Sequence, residues 1–447
     1  MPHRLAECLR RRKNWTWWRL RVKLHRYLLF GRVPMRLLPF LLATALIAAP
    51  ALAAPNGKTG PVWQTAEKLR GEQLALLERL VNIDSGTGDK VSGQRAQELV
   101  AGELRALGMT VALIPAENPA YPDNLVATLN GRGKGRILLI AHTDTVFEPG
   151  TAARRPFRAD ATRAYGPGVA DEKGGVVEGI MAIKLLKLLK INDYESVTFL
   201  IETSEERGSP GTRGLITKLV GAADVEFNLE PGDAPDVMTV WRKGSNSFDI
   251  SVKGRPAHAG VAPQLGRNAA LELVHQIALA DSLPKTGDGV TANLTLMSAG
   301  SRYNIIPEDA KATFNVRIRD KAQGDAVEAK FRANAANTII PDTAVSVQRE
   351  ISFPPLPENP QTAALAAMAE RIYGEAGLSI TRGGNGGASE SALAYEGGVA
   401  ALDGLGPVGG GFHSEEEYLE LASLTPRLYL LASLMIETGR NPPARRP

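Results

Sequence analysis

The sequence holds a single cysteine in 447 residues, Cys8, and it precedes a stretch that reads as a targeting segment. A chain with no thiol after that point has no disulfide framework and no thiolate nucleophile, and it suits an oxidising compartment. Long apolar runs are also missing. The best candidate, Leu37 to Ala49, falls short of the ~20 residues of a membrane span and ends near Ala51-Leu52-Ala53, a small-residue cleavage pattern. Residues 1–53 therefore read as a signal segment. No cysteine follows the run, so lipid attachment there is excluded. An excess of basic charge is absent as well. Eleven of the 52 Lys and Arg but only one of the 48 Asp and Glu lie in residues 1–53, which leaves 41 basic against 47 acidic residues. The formal net charge of +4 is a property of the leader, and nothing argues for nucleic-acid binding. The expectation is a soluble periplasmic or secreted protein with no stable membrane insertion once the signal is removed near Ala53; an uncleaved anchor is the alternative. The basic region is unusually long, and Met35-Arg36 would make a normal signal start, so translation is expected to begin at Met35.

Low-complexity tracts and internal repeats are lacking too. What remains, about 390 residues, is enough for two domains. Helical spacing of apolar residues runs from Thr65 to Val81 and from Gln94 to Leu107. Extended stretches at Asn124–Leu129 and Arg136–Ala141 flank Asn130-Gly131-Arg132-Gly133-Lys134-Gly135. That turn lacks the Gly-Lys-Ser/Thr ending of a phosphate loop, and we expect a hairpin. Ile137-Leu138-Leu139-Ile140 has the continuous apolar character of a strand buried on both faces. A helix from Gly175 to Lys190 and strands at Ser196–Glu202 and Asp224–Leu229 follow, an alternation that predicts a mostly parallel sheet in an α/β domain. Ligands bind at the carboxyl ends of such strands. From Gly244 the order changes to β-α-β-β-α-β, the ferredoxin-like pattern: Ser245–Lys253, Asn268–Leu279, Thr291–Ser298, Ala310–Arg319, Lys321–Ala335 and Ala344–Glu350. Phe353-Pro354-Pro355-Leu356-Pro357 then reads as a hinge back. The expected domains are a discontinuous α/β one, 54–243 with 354–447, and an inserted α+β one, 244–353.

The residues that carry chemistry gather at the predicted strand ends. Thr203-Ser204-Glu205-Glu206 follows a buried strand, and neighbours in an extended chain point to opposite faces, so one acid can bind a metal while the other moves a proton. His142 follows a strand directly, and Asp144, two residues on, is placed to hydrogen-bond its imidazole and fix the tautomer. Asp171 lies in a loop entering a helix, Glu230 ends a strand before Pro231, and His413 sits in Gly409-Gly410-Gly411-Phe412-His413-Ser414. Each alone is ordinary. Together they are imidazole and carboxylate donors without a thiolate, which suits zinc and, less selectively, manganese or cobalt. A closed structural zinc site usually employs cysteines, so a catalytic site is expected.

His142-Thr143-Asp144, Gly168-Val169-Ala170-Asp171-Glu172-Lys173-Gly174-Gly175, Thr203-Ser204-Glu205-Glu206-Arg207-Gly208-Ser209 and Glu230-Pro231 occur in the order seen in one family. The chain resembles the dinuclear-zinc metallopeptidases of the glutamate carboxypeptidase, aminoacylase and succinyl-diaminopimelate desuccinylase family. It is most similar to the exported, folate-cleaving glutamate carboxypeptidases, since Lys253-Gly254-Arg255-Pro256-Ala257-His258-Ala259-Gly260 and Asn304-Ile305-Ile306-Pro307 also match. The resemblance implies two zinc ions per subunit: Asp171 bridging, His142 and Glu230 completing one site, Glu206 and His413 the other. It implies Glu205 as general base, a cis peptide between Asp171 and Glu172, and a homodimer in which His258 reaches the partner's active site. Asn304 and Arg317 would hold the substrate, with Arg317 suited to a carboxylate. The implied activity is cleavage of an amide bond to a C-terminal residue, glutamate first. Alternatives with the same chemistry are N-acyl amino acid hydrolysis, dipeptide cleavage and desuccinylation; the non-enzymatic alternative is a catalytically dead periplasmic binding protein. One departure stands out: the family's Gly-Gly-x-Ser/Thr-Asp-Ala reads Gly386-Gly387-Ala388-Ser389-Glu390-Ser391 here, and the longer Glu390 is expected to reshape the pocket.

Overall fold

Helix starts in the computed structural model, which describes residues 57–446, follow local chemistry. Pro61 opens Pro61–Val81, where its missing N–H leaves no bond unmade. Asp89, Asn268, Asp320 and Asn359 each accept an amide three residues on and so cap Lys90–Ala106, Ala269–Ala280, Lys321–Ala335 and Pro360–Glu375. The signal segment, its cleavage pattern and Met35 lie outside the described residues.

Six strands form the central sheet, in the order Thr110–Ile114, Asn124–Asn130, Ser196–Glu202, Arg136–His142, Val225–Asn228 and Ala400–Leu402. The first two contacts are antiparallel and the remaining three parallel. The expected hairpin across 130–135 does not form. Ser196–Glu202 lies between the two strands instead, because it and Arg136–His142 are both buried on both faces toward their carboxyl ends and each is best placed with a neighbour on either side. The glycine-rich turn packs against the backbone that leads into the intervening strand: Gly131 N–H donates to Glu195 O and Gly133 N–H to Tyr194 O. A Cβ on Gly131 would stand 2.2 Å from Tyr194 O, so that approach requires glycine.

The helix Lys173–Leu188 is buried along most of its length. It lies against the sheet and the helices Pro61–Val81 and Leu424–Arg440. A Cβ on Gly175 would meet Leu229 O at 2.0 Å and one on Gly179 would meet the Phe199 ring at 2.5 Å. These two glycines bring the helix start, and Asp171 before it, against the strand end that carries Glu230.

A second sheet of seven short strands was not anticipated. Its order is Thr381–Asn385, Val237–Arg242, Pro231–Asp233, Gly406–Gly410, Tyr418–Glu420, Arg163–Tyr165 and Arg158–Ala159. Strands this short give no alternation for a sequence pattern to display.

The inserted region forms an antiparallel four-stranded sheet ordered Thr291–Ala299, Asp309–Ile318, Gly244–Lys253, Ala344–Phe353. Helices Ala269–Ala280 and Lys321–Ala335 cover the face that carries Phe248 and Phe314, with Phe331 against both rings. This is the ferredoxin-like arrangement expected of the order β-α-β-β-α-β, with a hydrophobic core of its own.

Candidate active site

Three parallel strands stop at the same edge of the central sheet, and the acids and histidines collect there. His142 is the last residue of its strand and is buried. The neighbouring strand ends at Glu202, and the chain then turns through a short 3-10 segment, Glu205–Arg207. Glu205 and Glu206 are thus not strand neighbours on opposite faces. The Asp144 carboxylate turns them by accepting both of their amides, at 3.2 and 3.3 Å, and it also accepts the Thr87 hydroxyl at 2.7 Å.

Asp144 also differs from expectation in how it meets His142. The imidazole Nδ1 lies 2.9 Å from the Asp144 main-chain oxygen, whereas the carboxylate stands 3.5 Å away. The tautomer is therefore set by the backbone carbonyl, because the carboxylate is committed to the 205–206 turn.

With its proton on Nδ1, a neutral His142 presents a lone pair at Nε2. That atom is buried without a hydrogen-bond partner, yet it faces only acceptors: Asp171 Oδ1 at 3.2 Å, Glu172 Oε2 at 3.6 Å and Glu230 Oε1 at 3.7 Å. On the other side of Asp171, Oδ2 lies 3.2 Å from His413 Nε2, which also stands 3.2 Å from Glu206 Oε2. Two groups with metal-binding spacing result, His142–Glu172–Glu230 and Asp171–Glu206–His413. Lone pairs aimed at one another at these distances repel unless a cation lies between them, so the residues fit a pair of metal ions.

The titration pattern without metal says the same. His142 is lifted well above 6.5, its burial outweighed by Asp144, Asp171 and Glu230. Asp171 and Glu206 lift His413 to about 10. Burial raises Glu205 and Glu206, and it takes Glu230 to about 7 with Asp171 adding to the effect. The metal-free cluster holds protons where cations would otherwise sit.

A cavity of about 590 Å³ opens above the cluster, lined among others by Glu205, Arg207, Asn315, Arg317 and Asn385. Arg317 Nε donates to Asn315 at 3.0 Å, and among the described residues its guanidinium has no acid in ion-pair range. His258 and Asn304 are exposed on the inserted region and do not line this cavity. Glu390 does not line it either. Its carboxylate is buried, accepting from Asn228 at 2.8 Å and Ser209 at 3.4 Å. Glu390 thus faces the protein interior, and any effect on the pocket does not come from its carboxylate entering the lining. The peptide between Asp171 and Glu172 is cis.

Several neighbours escaped the sequence reading. Glu172 is fully buried and accepts the His142 amide at 3.0 Å. Arg242 stands 3.6 Å from Glu230 and is held by Asp403 through two bonds of 2.6 and 2.7 Å. Glu417 accepts three amides of the Asp171 loop and is raised to about 7 by burial. Glu172 stood inside a quoted motif and was legible there. Arg242 ends a short strand and Glu417 precedes another, with no such signal.

An α/β sheet whose strand ends gather carboxylates and imidazoles around two cation-sized gaps is the site of a metal-dependent hydrolase. The chain matches Peptidase family M20/M25/M40 over residues 138–437. It is 33% identical over 401 residues to carboxypeptidase G2 of Pseudomonas sp. (strain RS-16), covering 89% of this chain and 96% of that one. It is 27% identical to succinyl-diaminopimelate desuccinylase of Methylobacterium radiotolerans, over 78% and 93% of the two chains. The fold resembles that of a tripeptidase from Staphylococcus aureus, with a TM-score of 0.69, 23% identity and coverage of 83% of this chain and 99% of that one. The protein belongs to the M20/M25/M40 peptidases and is a metallopeptidase.

Proposed function

We propose that this metallopeptidase is an exported, zinc-dependent carboxypeptidase that hydrolyses the amide bond to a C-terminal amino acid, glutamate first, on folate- or peptide-type substrates. The observation that carries the reading is Asp171, which offers one oxygen to each histidine at 3.2 Å below a cavity lined by Arg317, which has no ion-pair partner among the described residues. His142 and Glu230 would hold one zinc ion, Glu206 and His413 the other, with Asp171 shared. When bound, the two ions acidify a water molecule and polarise the substrate carbonyl.

Glu205 removes the attacking water's proton and returns it to the leaving amine. Arg317 receives the substrate's free carboxylate through parallel hydrogen bonds, and Asn304 assists in holding the substrate. His258 donates to the developing oxyanion. Its Nδ1 already accepts the Gly260 and Val261 amides at 3.2 and 3.1 Å, which leaves the proton of the neutral ring on Nε2. Since His258 and Asn304 lie outside this chain's own cavity, they serve the partner's site in a homodimer. Residues 54–243 and 354–447 form the catalytic domain, and 244–353 the dimerisation domain. The signal segment is removed near Ala53 and the mature enzyme works in the periplasm or outside the cell. No helix among the described residues is long and apolar enough to cross a membrane.

The test is a panel of N-acyl amino acids that differ only in the C-terminal residue, incubated with and without chelator and with the variant Arg317→Met. Chelator-sensitive release with glutamate preferred is expected, and Arg317→Met should raise KM by roughly 10- to 100-fold. A different preferred residue would discard the glutamate assignment in favour of a dipeptidase, acyl-amino-acid hydrolase or desuccinylase. Binding without any turnover would leave only a binding protein.

A further inference from the structure

The carboxylate of Glu417 is buried and accepts three backbone amides: Gly168 N–H on Oε2 at 2.9 Å, and Ala170 N–H and Asp171 N–H on Oε1 at 2.9 and 3.0 Å. A turn with Gly168 at φ +72° converges these donors as it would on a bound anion. Asp171, at the end of that loop, is the residue that faces both histidines. Glu417 itself closes the loop that carries His413, four residues earlier. One buried side chain therefore ties the backbone of the shared carboxylate to the loop of the histidine opposite it.

His413 needs such a tie. Its side chain is 54% exposed, so packing alone does not fix it. Its backbone sits at φ +61°, in the left-handed region that a non-glycine residue enters only under strain. A half-exposed ligand on a strained loop keeps its place only if the surrounding backbone is held.

We propose that Glu417 is a positioning residue for one half of the two-metal centre: it sets the span between Asp171 and His413, and thereby governs the affinity of the Asp171–Glu206–His413 group for its cation. The His142–Glu230 side depends on it much less, because His142 is fixed by its own strand and by the Asp144 carbonyl. This inference rests on the two-metal reading above and adds which residue decides the second affinity.

The experiment is a calorimetric titration of zinc into metal-free protein, for the parent and for Glu417→Gln and Glu417→Asp, with circular dichroism as the check on folding. Glutamine turns an N–H₂ toward an amide donor, and aspartate keeps the charge but falls short by a methylene. The first equivalent should bind as in the parent, and the second about 10- to 100-fold more weakly. An unchanged second equivalent in folded Glu417→Gln overturns the proposal, as does equal weakening of both equivalents. Where Glu417→Gln fails to fold, Glu417→Asp decides by the same two criteria. A parent that takes up only one zinc overturns the two-metal reading and this inference together. Two equivalents in the parent with no hydrolysis of any acyl amino acid would remove the carboxypeptidase proposal and leave the Glu417 result standing.

Discussion

Glu205 and Glu206 are chemically identical neighbours, and their separation into different surroundings comes from a single turn. Asp144 accepts both amides, so the two side chains leave a 3-10 segment rather than a strand. Glu206 then meets His413, while Glu205 lines the cavity with Glu230 and Arg317. Because Glu205 is not needed to hold either metal group, Glu205→Gln should bind two equivalents of metal and lose roughly 10²- to 10⁴-fold in kcat. Metal analysis and steady-state kinetics on the same preparation check this. Retained turnover would take the proton-transfer role away from Glu205, and lost metal would make it a ligand.

One element of the inserted region carries its own prediction. Thr291–Ala299 is an edge strand of the four-stranded sheet. Leu296 and Met297 on it are 66% and 52% exposed, and nearby Tyr303 is 99% exposed. The helix beside it, Ala269–Ala280, leaves Leu271 and Val274 exposed as well. An apolar sheet edge next to an apolar helix face invites association with a second copy. If the protein pairs through this face, Leu296→Glu should shift its sedimentation to that of a monomer and, if His258 serves the partner's site, depress kcat in proportion. A monomeric variant with full activity would separate the two ideas and remove the shared site.

Across the molecule, the metal-free site makes stability depend on pH with a definite sign. Glu230 and Glu417 are both raised by burial from 4.5 to about 7. Between those values the folded state keeps protons that the unfolded state has lost, so stability falls as pH rises through that window. His413, raised to about 10, adds loss in the same direction above pH 6.5. The thermal midpoint of chelator-treated protein should therefore drop from pH 5 to pH 8. The metal-loaded protein should show a flatter profile, since cations replace the protons, and its metal affinity should increase over the same range. A metal-free midpoint that rises from pH 5 to pH 8 would contradict the titration of these groups.

The sequence by itself determined the longer elements and the donors. Apolar period and apolar runs marked the buried strands, the β-α-β-β-α-β order and the longer helices, because those signals are local and each residue carries its own. His142, Asp171, Glu205, Glu206, Glu230 and His413 were legible because they adjoin such elements and fall in ordered motifs. Tertiary structure alone decided which strands became neighbours. The supposed hairpin opened to admit Ser196–Glu202, since burying a strand with a neighbour on either side outweighs the shorter loop. It also decided that the Asp144 carbonyl, not its carboxylate, fixes His142, and that Glu390 turns inward. Glu417 and Arg242 stayed hidden for the same reason: their importance lies in contacts with residues up to 249 positions away, and no local pattern records a partner that distant.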